Sequence, residues 1–335
     1  MSARIAAVDY FLPPAVLTNE DLAAQFPEWS VEKIAAKTGI DRRHISGPDE
    51  FSSDLATAAG EALFANHGID PHSIEYLIVC TQSPDYYLPS TACLVQERLG
   101  LPTTTGATDI TLGCSGYIYA LGLAKGLIES GQVSNVLVIT ADTYTKFINP
   151  EDKSVRTIFG DGAAATLVTD AGEATAITGI TYGTNGAGAK SLIVPQGGLR
   201  PGEALQPKSD ARARSLEPTG YDLYMDGPDI FNFTLEVVPA SVDAILRKSS
   251  LTADDIDLYV FHQANAFMLE HLRKKLGVPS EKFFVALEGF GNTVSSTIPI
   301  ALTEAVRQGA LRDGMKVMLL GFGVGLSWGG LVVTW

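Results

Sequence analysis

The chain has 335 residues, of which 46% are apolar and 19% charged, and its formal net charge is −14. This composition excludes a disordered chain, and the acidic balance argues against nucleic-acid binding, which needs a broad basic face. The longest apolar run, Val317 to Leu326, is about half the length that a membrane helix needs, and the N-terminus lacks the pattern of a signal peptide. We therefore expect a cytoplasmic α/β protein that binds neither nucleic acid nor a membrane.

Apolar runs of strand length alternate with helical patterns along the chain. The predicted strands are, in chain order, Arg4–Tyr10, Ile74–Cys80, Thr105–Ile110, Val136–Ala141, Ala163–Val168, Ile256–His262, Lys282–Val285, Val317–Gly321 and Gly329–Trp335. The predicted helices are Asp54–His67, Thr91–Leu99, Ser115–Ser130, Asp229–Lys248, Ala266–Leu276 and Val294–Gln308. Alternation of this kind indicates βαβ units, so we expect mostly parallel sheets whose strands are buried on both faces.

One segment, Gly186–Gly220, interrupts this alternation. It is rich in Gly, Pro, Ser and charged residues, and no long helix or strand pattern dominates it. A loop of this length in a compact fold is usually functional or mobile. An exposed loop without a role is an equal alternative.

The two halves of the chain repeat one another. Residues 67–80 match residues 249–262 at an offset of 182, which pairs Cys80 with His262. Farther along, the offset is 178, and Cys114 pairs with Asn292 because each precedes a helix that ends 17 residues later. We predict two βαβαβ halves, residues 1–172 and 173–335, that form one compact unit. Ligands of open α/β sheets bind beyond the carboxyl ends of strands, so Cys114, His262 and Asn292 should converge.

Cys114 is the strongest candidate for a nucleophile. It lies between Gly113 and Ser115, where a predicted strand gives way to a predicted helix. The N-terminus of a helix favours the thiolate, which is the reactive form of cysteine. The alternative is a buried cysteine that packs as a small hydrophobe. The other cysteines, Cys80 and Cys93, are expected to be structural, and their spacing predicts neither a disulfide framework nor a metal site.

Polar residues also follow or precede elements of the second half. His262 ends a predicted strand in the sequence FHQAN, a typical catalytic position, although a satisfied core histidine is the alternative. Asn292 opens a predicted helix, where an N-cap is the alternative. The turn Gly321–Gly325 can present backbone N–H groups to an anion, whereas the turn Gly160–Gly162 is expected to be structural.

Five segments resemble the signature motifs of beta-ketoacyl-acyl-carrier-protein synthase III: DITLGCSGYIYAL, IFGDGAAA, FHQAN, FGNTVSSTIPIAL and GFGVGLSWGG. The resemblance extends over nearly the whole chain. It implies a thiolase fold with five αβαβα layers, a homodimer, and a catalytic triad of Cys114, His262 and Asn292. It also implies an oxyanion hole formed by the backbone N–H groups of Cys114 and Val324.

The activity that the resemblance implies is acyl transfer from acyl-CoA or acyl-carrier protein to Cys114. A decarboxylative Claisen condensation with malonyl-carrier protein would follow, in fatty-acid or secondary-metabolite biosynthesis. No cofactor or metal is implied, because the thioesters are substrates. Two alternatives stay open, namely acyl transfer to a hydroxyl or amine without decarboxylation, and a non-catalytic chain that pairs with a true synthase.

The mouth of the implied substrate tunnel departs from the family pattern. The substrate-binding positions are held by Phe322, Leu88, Lys37, Lys153, Phe267 and Asn232, with Leu88 in the implied dimer-contact loop. The implied carrier-docking patch is Arg273, Lys274 and Lys275. Lys33 stands where the family has a tryptophan that stacks on the CoA adenine, and Trp29 lies four residues earlier. These departures predict that carrier or pantetheine donors compete well with CoA, unless a changed loop returns Trp29 to the adenine.

Overall fold

The structure is a computed structural model, and it describes residues 2–172, 176–200 and 220–335. The strands, numbered in chain order, are β1 Ala3–Phe11, β2 Ala15–Thr18, β3 Arg42–Ile45, β4 Tyr76–Cys80, β5 Gly106–Ile110, β6 Asn135–Asp142, β7 Gly162–Asp170, β8 Ile177–Thr184, β9 Leu192–Ile193, β10 Tyr224–Met225, β11 Leu258–Phe261, β12 Lys316–Gly323 and β13 Ser327–Thr334. The helices are α1 Asn19–Gln25, α2 Val31–Thr38, α3 Ser52–His67, α4 Thr91–Arg98, α5 Gly116–Glu129, α6 Lys153–Arg156, α7 Gly227–Ser249, α8 Ala266–Leu276 and α9 Thr297–Arg307.

Two sheets form the frame of the molecule. The first has the strand order β1-β7-β6-β4-β5 and the second the order β11-β12-β13-β8. Strand β4 runs parallel to β5 and β6, and β11 runs parallel to β12, but the other four of these seven pairings are antiparallel. The prediction of mostly parallel sheets is therefore wrong. Part of the reason is that β12 and β13 are joined by a tight turn, Val324–Leu326, which can connect only antiparallel neighbours.

Helices lie on both sides of each sheet, which gives five αβαβα layers. Helices α5 and α9 contact strands of both sheets and lie between them. Helices α3 and α4 pack on the outer side of the first sheet, and α7, with α8 beside it, packs on the second. Strands between helix layers are buried on both faces, as Leu77 through Cys80 of β4 are. The predicted thiolase fold is confirmed.

The strand orders of the two sheets also repeat, which confirms the predicted duplication. Strands β4, β6, β7 and β1 occupy the same relative places as β11, β12, β13 and β8. The place of β5 is taken in the second sheet by a single bridge between Tyr259 and Phe283. The division between residues 172 and 173 stays a prediction, because residues 173–175 lie outside the described part of the chain.

The predicted strand Lys282–Val285 is wrong. Residues Ser280–Lys282 form a 3-10 turn, and beyond Phe283 a side chain replaces the pairing strand. The Gln263 amide accepts the N–H of Ala286 at 2.8 Å and donates to the carbonyl of Phe284 at 3.5 Å. Because β11 has already ended at Phe261, no neighbouring backbone remains there to pair with.

Other differences from the predicted elements lie near the substrate tunnel. The hairpin of β2 and β3, with α1 and α2, was not predicted from the sequence. Helix α9 begins at Thr297 rather than Val294, because residues Val294–Ser296 form a 3-10 turn. In the predicted loop, β9 pairs with β10, and residues 201–219 lie outside the described residues.

Among the described helices, none is long and apolar enough to cross a membrane.

Candidate active site

Cys114 lies in the turn between β5 and α5 and is 5% exposed. Strand β12 passes directly against it. A Cβ atom at Gly323 would lie 2.9 Å from the Cys114 Sγ atom, and one at Gly321 would lie 2.6 Å from the Cys114 carbonyl oxygen. Any side chain at either position would force the strand or the cysteine to shift. Gly321 and Gly323 of β12 are therefore favoured by close packing against the nucleophile.

Two effects of opposite sign act on the Cys114 thiol. The backbone N–H groups of Cys114 and Val324 lower the pKa of the sulfur. Burial, followed by the negative charge of Asp142, raises the pKa of the thiol to about 12. The expectation of a ready-made thiolate is not met, because burial outweighs the effect of the N–H groups. At neutral pH Cys114 carries its proton.

His262 follows β11 and is 2% exposed. Its Nδ1 atom lies 2.7 Å from the Oγ1 atom of Thr297, at the start of α9. Its ring stands nearly perpendicular to that of Phe322, with centroids 5.5 Å apart. Burial lowers the pKa of His262 to about 3, so the imidazole is neutral at physiological pH. A neutral imidazole donates one hydrogen bond and accepts another.

Asn292 is fixed by its own backbone and by the residues that follow. Its N–H donates to the Ile158 carbonyl at 2.9 Å, and its carbonyl accepts the N–H of Gly160 at 3.0 Å. Its Oδ1 atom accepts the N–H of Val294 at 2.9 Å, which leaves the Nδ2 hydrogens for other partners. The N-cap of α9 is Ser296, so the alternative that Asn292 caps this helix is wrong.

The three side chains meet in one cavity of about 520 Å³. Cys114, His262 and Asn292 line its inner part together with Phe322, although 178 residues separate the first of these from Asn292. Phe159, Leu192, Met225 and Ile230 add apolar walls. The arrangement provides a nucleophile, two backbone N–H groups that lower the pKa of its sulfur, and a neutral imidazole and an amide that line the same cavity.

The mouth of this cavity is aromatic and cationic. Trp29, Lys37, Asn232 and Phe267 line it, so Trp29 does lie at the cavity. The Trp29 ring centroid lies 5.3 Å from the ammonium of Lys33, 4.7 Å from that of Lys37 and 5.9 Å from that of Lys153. Lys153 also forms an ion pair with Glu28. Lys153, one of the predicted substrate-binding residues, does not line the cavity.

Some predicted residues lie away from the cavity. Leu88 is 83% exposed on the surface and does not line the cavity of its own chain. Arg273 forms a double hydrogen bond with Glu270, at 2.8 Å for each contact, and Lys274 pairs with the same carboxylate at 3.2 Å. These two cations lower the pKa of Glu270 to about 2. The predicted docking patch therefore carries its own counter-charge.

The remaining cysteines differ in exposure. Cys80 is buried, donates to the Leu112 carbonyl at 3.1 Å, and lies so close to Gly116 that a Cβ there would be 2.2 Å from its sulfur. Burial raises the pKa of Cys80 well above its ordinary value. Cys93 is exposed and lies 3.2 Å from the Ser90 hydroxyl. Both sulfurs are free thiols.

One titratable group close to Cys114 was not predicted from the sequence. Asp142 ends β6, is fully buried, and accepts hydrogen bonds from the Gln82 N–H at 2.8 Å and the Ser295 hydroxyl at 2.5 Å. Burial raises the pKa of Asp142 to about 7. The argument that identified His262, a polar residue at the carboxyl end of a predicted strand, applies equally to Asp142. Thr297 was also missed, because it reads as an ordinary residue of a predicted helix.

Fold and site together define the chain as a condensing enzyme of the acyltransferase class. Family models described as 3-oxoacyl-[acyl-carrier-protein (ACP)] synthase III and its C-terminal part match residues 108–186 and 246–335. A beta-ketoacyl-[acyl-carrier-protein] synthase III of Caldanaerobacter subterraneus is 36% identical over 335 residues, 100% of this chain and 98% of the relative. The chain belongs to the beta-ketoacyl-[acyl-carrier-protein] synthase III family.

Solved structures agree with this membership. A 3-oxoacyl-(acyl-carrier-protein) synthase III crystal structure has a TM-score of 0.94 and 48% identity, and the match covers 100% of both chains. A 3-oxoacyl-(acyl-carrier protein) synthase from Burkholderia xenovorans has a TM-score of 0.92 and 37% identity, over 99% of this chain and 94% of the other.

Proposed function

We propose that the enzyme catalyses a decarboxylative condensation in two half-reactions. In the first, the Cys114 sulfur attacks the carbonyl carbon of an acyl thioester. The bond from that carbon to the sulfur of CoA or an acyl carrier breaks, and the departing thiol takes the proton of Cys114. The observation that carries the proposal is that Cys114, His262 and Asn292 line one cavity. The backbone N–H groups of Cys114 and Val324, which lower the pKa of the sulfur, would bind the oxyanion. One donor of this kind typically contributes about 10²–10³ in rate.

In the second half-reaction a malonyl thioester enters the same cavity. Its carbon–carbon bond to the carboxylate breaks, CO₂ leaves, and the electron pair becomes an enolate. His262 and Asn292 donate hydrogen bonds to the enolate oxygen. The enolate carbon then attacks the acyl group, the bond to Cys114 breaks, and the released thiolate takes a proton from water. Loss of CO₂ drives this step, so the reaction as proposed requires no metal or redox cofactor.

The proposed partners are acyl-CoA or acyl-carrier protein, malonyl-carrier protein and a second copy of the chain, in the cytoplasm. Strand β5 is the edge of the first sheet and has no neighbour on its outer side among the described strands. Tyr86, Tyr87 and Leu88 are exposed between β4 and α4. Contact between two such surfaces would cover these apolar side chains in an interface of about 2,000 Å² or more. A monomer in sedimentation at micromolar concentration would contradict the dimer.

The two half-reactions can be separated experimentally. Mass spectrometry follows the acyl adduct on Cys114, and trapping of CO₂ follows decarboxylation of malonyl-carrier protein. We expect His262→Ala and Asn292→Ala to retain the adduct but to lose about 10²-fold or more in CO₂ release, since each removes one donor at the enolate. A Cys114→Ala variant is the control for adduct formation. An adduct without CO₂ release in the unaltered enzyme would instead indicate acyl transfer to a hydroxyl or amine.

A further inference from the structure

Val294 lies between the two side chains that face the cysteine. Its backbone has a φ of +56°, a left-handed conformation that is an outlier for a β-branched residue. In this conformation its N–H donates to the Asn292 Oδ1 atom at 2.9 Å. Its carbonyl lies 3.1 Å from the Oγ1 atom of Thr297, which in turn contacts the Nδ1 atom of His262. One strained residue therefore links the positions of both groups.

The Thr297 hydroxyl has one proton and two acceptors within reach. The contact to the His262 Nδ1 atom is 2.7 Å, and the contact to the Val294 carbonyl is 3.1 Å. Both Thr297 and His262 are 2% exposed, so water does not compete for these bonds. If the hydroxyl proton goes to Val294, His262 must carry its hydrogen on Nδ1, because two lone pairs cannot share a contact of 2.7 Å. If the proton goes to His262, its hydrogen must be on Nε2.

We propose that the Thr297 hydroxyl donates to Nδ1 and so holds His262 in the tautomer with hydrogen on Nε2. Among the described residues Nε2 has no hydrogen-bond partner, and His262 lines the cavity. The Nε2 hydrogen is then available for the thioester oxygen. The 2.7 Å contact is a hydrogen bond in either tautomer. This tautomer is favoured because it places a donor rather than a lone pair in the cavity, although the Val294 carbonyl then loses the Thr297 proton. Thr297 is a positioning residue, because it acts on the substrate only through His262.

The neutrality of His262 makes the tautomer matter. An imidazolium would offer a hydrogen on both nitrogens, but burial lowers the pKa of His262 to about 3 and leaves only one. In the wrong tautomer, Nε2 would present a lone pair to the enolate oxygen and would repel it. The first half-reaction relies on the backbone N–H groups at Cys114 and does not need the Nε2 hydrogen. This inference rests on the proposed function, which supplies the enolate.

The kinetic test uses three variants on helix α9. Thr297→Val removes the donor, and we expect CO₂ release to fall about 10- to 100-fold while adduct formation on Cys114 stays within about threefold. Thr297→Ser keeps a hydroxyl and should recover most of the lost rate. Thr303→Val is the matched control, because Thr303 is also buried and donates to a carbonyl of its own helix, that of Pro299, at 3.0 Å.

The outcomes separate the tautomer from a merely structural role. If Thr297→Val lowers both half-reactions equally, or behaves like Thr303→Val, the assignment to Thr297 is wrong. If the unaltered enzyme forms the adduct but releases no CO₂, the proposed function fails instead, and the tautomer is decided by the spectrum described next.

A spectroscopic measurement does not depend on turnover. The chain has five histidines, and protein labelled with ¹⁵N only at histidine gives two ring-nitrogen signals for each. His262→Asn identifies the signals of His262 by their disappearance. We expect the Nε2 signal at the position of a protonated ring nitrogen and the Nδ1 signal at that of an unprotonated one. The reverse assignment in the unaltered protein would overturn the proposal.

Discussion

The Cys114 thiol holds its proton because its surroundings disfavour the thiolate more than the nearby donors favour it. Burial and the charge of Asp142 act in one direction, and two backbone N–H groups act in the other. The oxyanion of a tetrahedral intermediate would be bound by the same two N–H groups. These donors accelerate the reaction to the extent that they bind the oxyanion of the transition state more strongly than they bind the resting sulfur.

A pKa of about 12 predicts how alkylation of Cys114 depends on pH. In a Cys93→Ser variant, which removes the exposed thiol, we expect the rate of iodoacetamide labelling at Cys114 to rise about tenfold per pH unit from pH 7 to 10. The thiolate fraction grows in this way throughout the range below the pKa. Peptide mass spectrometry measures the rate. A blocked cysteine peptide, whose rate levels off above about pH 8.5, is the control. A plateau for Cys114 below pH 9 would show a stabilised thiolate.

At the scale of elements, the nucleophile depends on how closely β12 approaches the start of α5. A Cβ atom at Gly323 would lie 2.8 Å from the Cβ atom and 2.9 Å from the Sγ atom of Cys114. Because real Cβ contacts are longer than this, Gly323→Ala must displace either the cysteine or the strand. We expect about a 10²-fold lower rate of adduct formation, the cost of misplacing a reacting group by about 1 Å.

Gly126→Ala is the matched control for this substitution. Gly126 lies in helix α5, which follows Cys114, and a Cβ atom at Gly126 would meet nothing within 4 Å. Replacing a glycine inside a helix by alanine stabilises it by about 0.5–1 kcal/mol, so this variant should unfold at an equal or higher temperature and keep its rate of adduct formation. Equal activity of Gly323→Ala and the unaltered enzyme would mean that the strand relaxes without moving Cys114.

The elements that sequence analysis predicted well are those whose pattern is local. Continuous apolar runs predict β4 and β6 because burial on both faces requires every side chain to be apolar. The duplication placed Cys114 and Asn292 together because equivalent strand ends meet in a repeated fold. The prediction of a strand at Lys282–Val285 failed because this segment pairs with the Gln263 side chain, and the residues of the segment itself do not indicate that partner. The high pKa of Cys114 and the contact of Thr297 depend on residues that are distant along the chain.

At the scale of the whole molecule, the net charge of −14 opposes anionic substrates at long range. Both CoA, with its phosphates, and an acidic carrier are anionic. Their capture therefore depends on local cations near the cavity mouth. Lys37 lines the cavity, and Lys33 and Lys153 lie beside Trp29, although Lys153 is paired with Glu28. Attraction confined to the mouth is screened by salt, because the Debye length is about 8 Å at physiological ionic strength.

We expect Trp29 to determine how the enzyme distinguishes CoA from shorter donors. Stacking of a base on an aromatic ring contributes about 1–3 kcal/mol, and Trp29 is an aromatic ring at the cavity mouth beside Lys37. We expect Trp29→Ala to lower kcat/KM for an acyl-CoA by about 30-fold, which corresponds to about 2 kcal/mol, the middle of that range. The same acyl group on pantetheine, which has no adenine, should be unaffected, and it serves as the matched control. If acyl-pantetheine and acyl-CoA react equally well with the unaltered enzyme, Trp29 does not bind the adenine of CoA. The natural donor would then be an acyl carrier, which presents the pantetheine arm alone.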